Sequence, residues 1–291
     1  MKVADAMTPR EEVVTVSLPG TRDDVLEYIQ EHGFSSVPVV KETDDGTEEF
    51  RGLISRDDLI ESPDEDQLAL LMREVPTTDV DADLVEVARL MVEEGARRVP
   101  VVEDRDGVTA LAGIVTVTDV VEAIAREEVD GDTPVGELAA RDVNTTYVGC
   151  PLTVAERELY YANVPYAVAL DDEGGMAGII TEVDVIAVAR VVEGEDDTGE
   201  SIANQDDEWM WEGIKAVGNR YLPTRNVEIP AEPVSEFMTE DVRTVSKRKT
   251  ARDAAQVMIQ HDVEQIPLVS GSDLVGIVRD VNLLEALVGH E

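Results

Sequence analysis

Cysteine occurs once, at Cys150, so no internal disulfide can form. With no histidine near it to activate the thiol, Cys150 reads as a small apolar residue beside Pro151. No stretch approaches the ~18 consecutive apolar residues that a membrane helix needs. Met1-Lys2-Val3-Ala4-Asp5 opens without the apolar core of a secretion signal, so a cytoplasmic location away from membranes is expected. The histidines His32, His261 and His290 have no metal-ligand spacing among them. The chain has no Gly-x-x-x-x-Gly-Lys-[Ser/Thr] loop, no Gly-x-Ser-x-Gly elbow, no Gly-x-Gly-x-x-Gly fingerprint and no evident helix-turn-helix. An enzyme would have to gather its groups from distant parts of the chain, and a noncatalytic role is expected.

Positive charge is equally scarce. The 24 basic residues face 64 acids for a net charge of −40, and only Lys2, Lys41, Lys215, Lys247 and Lys249 are lysines. The acids are spread through the chain rather than gathered in a tail. Such self-repulsion weakens a folded state at ordinary salt. At 1 M salt the Debye length falls to ~3 Å and distant repulsion is mostly screened. The acidic, lysine-poor surface resembles cytosolic proteins of extreme halophiles. It also argues against nonspecific nucleic-acid binding, which needs basic surface to displace counterions.

What is present is repetition. Gly52-Leu53-Ile54-Ser55-Arg56-Asp57-Asp58, Gly113-Ile114-Val115-Thr116-Val117-Thr118-Asp119 and Gly178-Ile179-Ile180-Thr181-Glu182-Val183-Asp184 share one frame. A fourth copy, Gly276-Ile277-Val278-Arg279-Asp280-Val281-Asn282, keeps the frame and changes both polar positions. The hydroxyl positions 55, 116, 181 and 279 are separated by 61, 65 and 98 residues, which places an insertion before the last copy. Each copy follows a proline marker by 12 to 17 residues: Val37-Pro38, Val99-Pro100, Val164-Pro165 and Ile266-Pro267.

These paired markers resemble CBS repeats (cystathionine-β-synthase domains), four of them, covering nearly the whole chain. The expected fold class is α/β, each repeat a β-α-β-β-α unit. The resemblance implies pairing of repeats 1+2 and 3+4 into two modules that form a disc. The expected boundaries are 1–63, 64–128 and 129–194 for repeats one to three, 195–231 for an insertion and 232–291 for repeat four. Repeat two is the cleanest copy: Leu84, Val87, Ala88, Leu90, Met91 and Val92 supply a helical apolar face that ends at Gly95. Repeat three departs most, lacking the Met-Thr opening of Met7-Thr8 and Met238-Thr239, with an expected short helix over Thr153–Tyr161. The insertion begins acidic and then holds both tryptophans, Trp209 and Trp211, in a chain only 4% aromatic. That segment reads either as a helix tucked against the core or as a docking surface for a partner protein.

The Ser/Thr and Asp three residues apart at each strand-to-helix corner admit two readings. One is a capping box, in which hydroxyl and acid satisfy backbone N–H groups and no ligand is needed. In the other, helix N–H groups and hydroxyl face an anion, while an ionised Asp accepts both hydroxyls of a ribose diol. The family resemblance implies the second: Asp58, Asp119 and Asp184 would hold ribose, and Ser55, Thr116, Thr118 and Thr181 would contact the nucleotide. By the same resemblance, Arg97 and Arg98, just before Val99-Pro100, would face its phosphates; the alternative is an exposed helix-end pair. Lys247, Arg248 and Lys249 form the densest basic run and are possible phosphate contacts or a solvated loop. Arg279 and Asn282 replace the hydroxyl and the acid in repeat four, so its ribose site is expected to be empty or altered, with Arg279 free to lend its charge to a neighbouring site.

The quadruple arrangement is similar to that of the regulatory gamma subunit of the AMP-activated kinase and of stand-alone archaeal CBS proteins. The implied function is noncatalytic energy sensing, in which AMP, ADP and ATP bind between repeats and their occupancy passes to an unidentified protein partner. The expected assembly is a monomeric disc or a homodimer. No cofactor is implied. An S-adenosyl ligand such as S-adenosylmethionine, or a scaffold with vestigial sites, are the alternatives.

Overall fold

A computed structural model describes the chain except residues 33–35, 44–45, 56–57, 60–64, 194–215, 218–219, 222–224 and 290–291. The Trp209–Trp211 segment lies outside the described residues. The chain divides into two compact units: residues 1–139, 245–266 and 278–291 form one, and residues 140–244 and 267–277 the other.

The first unit is built on a sheet with strand order β2-β3-β4-β7-β6-β5. Its strands are β1 (Thr8–Pro9), β2 (Val16–Leu18), β3 (Ser36–Glu42), β4 (Glu48–Ser55), β5 (Thr78–Asp79), β6 (Arg98–Arg105) and β7 (Val108–Thr116). Each half repeats one pattern: a short strand runs parallel to the proline-marked strand, which turns back antiparallel into the glycine-bearing strand. The proline-marked strands bury a continuous stretch around the proline, 37–40 in β3 and 99–101 in β6, which is why that stretch reads as an apolar run. The opening strand starts at Val16. The Arg10 guanidinium occupies that edge, donating to the Val13 carbonyl at 3.0 Å, to Thr15 Oγ1 at 3.0 Å and to Glu48 Oε2 at 2.6 Å.

Helix α1 (Arg22–His32) packs Val25 and Ile29 against Val16, Val37, Val39 and Ile54, with Leu68 and Leu71 of α2 (Leu68–Leu71) closing the cluster. Helix α3 (Leu84–Glu94) starts under an Asp83 cap, buries Leu84, Val87, Ala88 and Met91, and ends at Gly95 in the left-handed conformation (φ 64°). Helix α4 (Val117–Ala125) buries Val117, Val120, Val121, Ala123 and Ile124, each valine or isoleucine contributing about 1.5–3 kcal/mol. A short helix, α5 (Val135–Leu138), follows.

In the second unit β8 (Thr145–Tyr147), α6 (Leu152–Ala162), β9 (Tyr166–Leu170), β10 (Met176–Thr181) and α7 (Glu182–Val188) repeat the pattern with sheet order β10-β9-β8. Helix α6 is longer than expected: its 11 residues match α1 and α3, because Asn163 adopts the left-handed conformation (φ 51°) at its C-terminus and does glycine's work there. β11 (Arg190–Glu193) pairs with the later β14 (Arg225–Glu228), and between them β12 (Ala216–Val217) pairs with β13 (Arg220–Tyr221). Repeat four supplies β15 (Val245–Ser246), α8 (Ala251–His261), β16 (Gln265–Ser270), β17 (Asp273–Arg279) and α9 (Asp280–Val288).

The four openings exchange in pairs. Thr8 pairs with Ile114 of repeat two, and Arg73 pairs with Leu53 of repeat one. Likewise Thr239 pairs with Ile179 of repeat three, and Ala140 with Ile277 of repeat four. Exchange accounts for the glycine of every copy. A Cβ would sit 2.5 Å from the Arg73 carbonyl oxygen at Gly52 and 2.4 Å from that of Thr8 at Gly113. At Gly178 it would lie 2.8 Å from the Thr239 oxygen, and at Gly276 2.7 Å from that of Ala140. The pairing of repeats 1+2 and 3+4 is therefore written into backbone contacts. Helices α8 and α9 of repeat four nevertheless belong to the first unit, where Arg252 meets Asp132 at 2.8 Å and Gln256 donates to the Ala125 carbonyl.

Candidate functional site

At the β7–α4 corner Thr116 leaves the strand with extended backbone and caps the helix. The Asp119 N–H donates to Thr116 Oγ1 at 3.3 Å; in return Asp119 Oδ2 accepts from the Thr116 N–H and hydroxyl, both at 2.7 Å. Ser55–Asp58 closes the same box at 2.7 and 2.6 Å, and Thr181–Asp184 at 2.8 and 2.7 Å. In repeat four the Arg279 N–H donates to Asn282 Oδ1 at 3.0 Å, so the amide replaces the acid as backbone acceptor.

The capping box thus closes in all three acidic copies, each acid committing its Oδ2 to two donors. Two donors already saturate Oδ2, so the carboxylate cannot offer both oxygens to a diol. Only Oδ1 is left. Among the described residues Asp119 and Asp184 show no partner at Oδ1, whereas Asp58 Oδ1 is ion-paired with Arg73 Nε. The difference has a cause in the exchange. Arg73 is the opening residue that crosses to repeat one, at the place held by Thr8 and Thr239 in the crossings to repeats two and three. Asp58 is buried to 7% side-chain exposure and its charge is balanced there by the arginine. Asp119 is half-buried. Burial pushes its pKa up; the Thr116 hydrogen bonds oppose that shift and the nearby Glu122 charge adds to it.

Thr118 stays exposed on the first turn of α4 and lines a cleft of about 160 Å³ with Val121, Glu122, Met258, Asp262, Glu264 and Asp280. Ligand pockets span about 300–1,000 Å³, so this cleft has room for a phosphate-sized group rather than a nucleoside. Arg97 reaches the same place: its carbonyl accepts from the Val117 N–H at 3.0 Å. The guanidinium, however, is engaged. It donates to Asp280 at 2.6 and 3.3 Å and lies 3.3 Å from Glu264. Burial disfavours the charged guanidinium, but the hydrogen bond and charge of Asp280, with Glu264, more than offset this and raise its pKa. Asp280 is the anion that Arg97 holds in this structure. Arg98 pairs in register with Thr116.

Lys247, Arg248 and Lys249 fall in the exposed turn before α8, with Lys249 Nζ 3.1 Å from Asp253. The cleft takes its lining from the other end of α8, and a helix of 11 residues separates the two by roughly 15 Å. The basic run therefore lies outside the cleft. Arg279 is half-buried at the start of α9. The notable residues that sequence reasoning passed over are Arg73 and Asp280. A signal existed for Arg73, since it follows Met72 as Thr8 follows Met7.

The CBS-domain model matches residues 3–65, 68–126 and 234–289, more than half of the chain. The chain belongs to the CBS-domain family. It is similar to an uncharacterized protein, MJ1404, of Methanocaldococcus jannaschii, 27% identical over 97% of this chain and 61% of that protein, so it spans under two thirds of that relative's length. A crystal structure of an uncharacterized conserved protein from Pyrococcus horikoshii superposes with TM-score 0.68 at 27% identity, covering 99% of this CBS chain and 100% of that one. MJ1225 of Methanocaldococcus jannaschii, proposed as an archaeal homologue of g-AMPK, shares the fold with TM-score 0.64 at 20% identity over 98% and 99% of the two chains. No helix among the described residues of this CBS protein is long and apolar enough to cross a membrane.

Proposed function

We propose that this CBS protein is a noncatalytic regulator that binds adenine nucleotides, AMP, ADP or ATP, at the repeat corners and passes their occupancy to a partner protein. The observation that carries the reading is the unengaged Oδ1 of Asp119 and of Asp184, each held in place by a closed capping box. A carboxylate fixed by its other oxygen is a preorganised acceptor for a ribose hydroxyl. Thr116 and Thr181 orient those acids, and Thr118 offers a hydroxyl at the helix start.

A second reading has its own support. The cleft beside Thr118 is lined by Glu122, Asp262, Glu264 and Asp280, a setting that favours the small, positively charged tail of an adenosyl ligand over a phosphate. S-adenosylmethionine carries such a tail. Calorimetry with AMP, ATP and S-adenosylmethionine in molar potassium chloride separates the two. Nucleotide binding with a micromolar or tighter Kd supports the first; binding of S-adenosylmethionine alone supports the second. No heat with any of the three, from folded protein, refutes both and leaves an interaction scaffold.

A further inference from the structure

The Arg97–Asp280 pair joins two segments 183 positions apart in sequence. Asp280 is the first residue of α9 and only 5% exposed. Its own N–H donates to the Glu264 carbonyl at 2.8 Å, and its Oδ1 accepts from the Val281 N–H at 2.7 Å. The carboxylate is thus positioned by backbone on both sides and has little freedom to turn away. Arg97 differs: its side chain is 48% exposed, it is bound to Asp280 through its guanidinium tips, and Glu264, its second partner, is 61% exposed. Of the two partners the arginine is the one able to move.

The pair also sits at a mouth. Asp280 and Glu264 line the cleft that Thr118 opens onto, beside the start of α4. A phosphate entering there would meet the helix start and the threonine hydroxyl on one side and carboxylates on the other. It would be tolerated only with a cation beside it, and Arg97 is the cation bonded to two of the lining residues.

We propose that Asp280 is a specificity-determining residue that competes with the phosphates of a bound nucleotide for Arg97 and so sets how strongly the chain responds to phosphate number. The inference rests on the nucleotide reading above and deepens it. With Asp280 in place, each added phosphate must draw Arg97 from a fixed, buried carboxylate, so ATP gains little over adenosine. Release of Arg97 removes its tie to the first residue of α9, which links the phosphate state to the closing helix of repeat four.

The test is calorimetric titration of adenosine, AMP and ATP into the full chain in molar potassium chloride. The proteins are wild type, Asp280→Asn, Arg97→Ala and the double variant. Asparagine keeps an acceptor for the Val281 N–H and removes the charge. The proposal expects the ATP-to-adenosine affinity ratio to rise about tenfold in Asp280→Asn. It expects no such rise when Arg97 is absent. An unchanged ratio in Asp280→Asn, with adenosine still bound, overturns the proposal and leaves the nucleotide reading intact. An equal rise in the double variant overturns it too, because the effect is then general relief of negative charge. If none of the three ligands binds any folded variant, the nucleotide reading fails and takes this proposal with it. Should Asp280→Asn not fold, Glu264→Gln at the exposed second partner gives the same readout: a two- to threefold rise in the ratio supports the competition, and no rise overturns it.

Discussion

Substituting Asp119 by asparagine separates the cap from the grip. Repeat four supplies the precedent, since Asn282 Oδ1 already accepts the Arg279 N–H at 3.0 Å in the same corner. Asp119→Asn should therefore keep α4 capped, with melting changed by less than the ~1 kcal/mol that a lost cap costs. What it removes is the charge and the one unengaged acceptor oxygen. A hydrogen bond to a charged group contributes about 1.5–3 kcal/mol, so AMP affinity should fall roughly 10- to 100-fold. Asp58→Asn is the internal control. Its Oδ1 is committed to Arg73, so AMP affinity should not change. Stability should fall only modestly, because Arg73 is 60% exposed and water screens most of the lost attraction. Titration calorimetry at 1 M potassium chloride, paired with thermal melts of each variant, reads both quantities. Wild-type AMP affinity in folded Asp119→Asn, or an equal loss in Asp58→Asn, refutes the reasoning.

Other perturbations follow from the same contacts. Because burial raises the Asp119 pKa, protonation should begin above the ordinary carboxylate value. AMP affinity should then fall on acidification through that raised value, with proton release on binding measurable in buffers of different ionisation heat; pH-independent affinity down to pH 4 contradicts it. Asp253 lies the other way, its pKa held below the ordinary carboxylate value chiefly by the Thr250 backbone hydrogen bond. Its stabilising contribution is complete above that value and lost as pH falls through the lowered one, so Asp253→Asn should cost stability at neutral pH and little in strong acid. Gly113→Ala places a methyl 2.4 Å from the Thr8 carbonyl oxygen and should cost about 1–3 kcal/mol in denaturant melts. Finally, with a net charge of −40 the melting temperature should climb between 0.1 and 2 M potassium chloride as repulsion is screened; a flat profile argues against salt-adapted composition.

Local chemistry was legible and long-range exchange was not. The glycine, the hydroxyl and the acid form a motif within seven residues, and the capping geometry follows from helix physics alone. The strand-to-helix corners at Ser55, Thr116, Thr181 and Arg279 accordingly lie where the repeats place them. The crossings of Thr8, Arg73, Ala140 and Thr239 could not be read the same way. Each joins backbone segments with no shared periodicity, and the opening residue varies from threonine to arginine to alanine. The length of α6 was misjudged because its end is an asparagine in the left-handed conformation rather than a glycine. Arg97 is a different case. Its type and place suit phosphate, but its partner is Asp280, and nothing local announces a contact over that separation.

The four copies share a backbone and differ in charge at the corner, and the differences fall where repeats touch. Arg73 reaches Asp58 because the opening of repeat two must cross repeat one; arginine at that crossing converts an acceptor into an internal ion pair. In repeat four the carboxylate has moved two positions, from the place of Asn282 to Asp280, and there it faces Arg97 instead of its own cap. Each change alters the charge at one corner and leaves the fold unaltered, since backbone pairing and capping persist in all four. If sugar binding depends on an unengaged carboxylate oxygen, this grip can serve at most the corners at Asp119 and Asp184. A repeat protein can thus keep four equivalent cores while holding ligand at fewer sites, using the remaining corners to bind its own arginines.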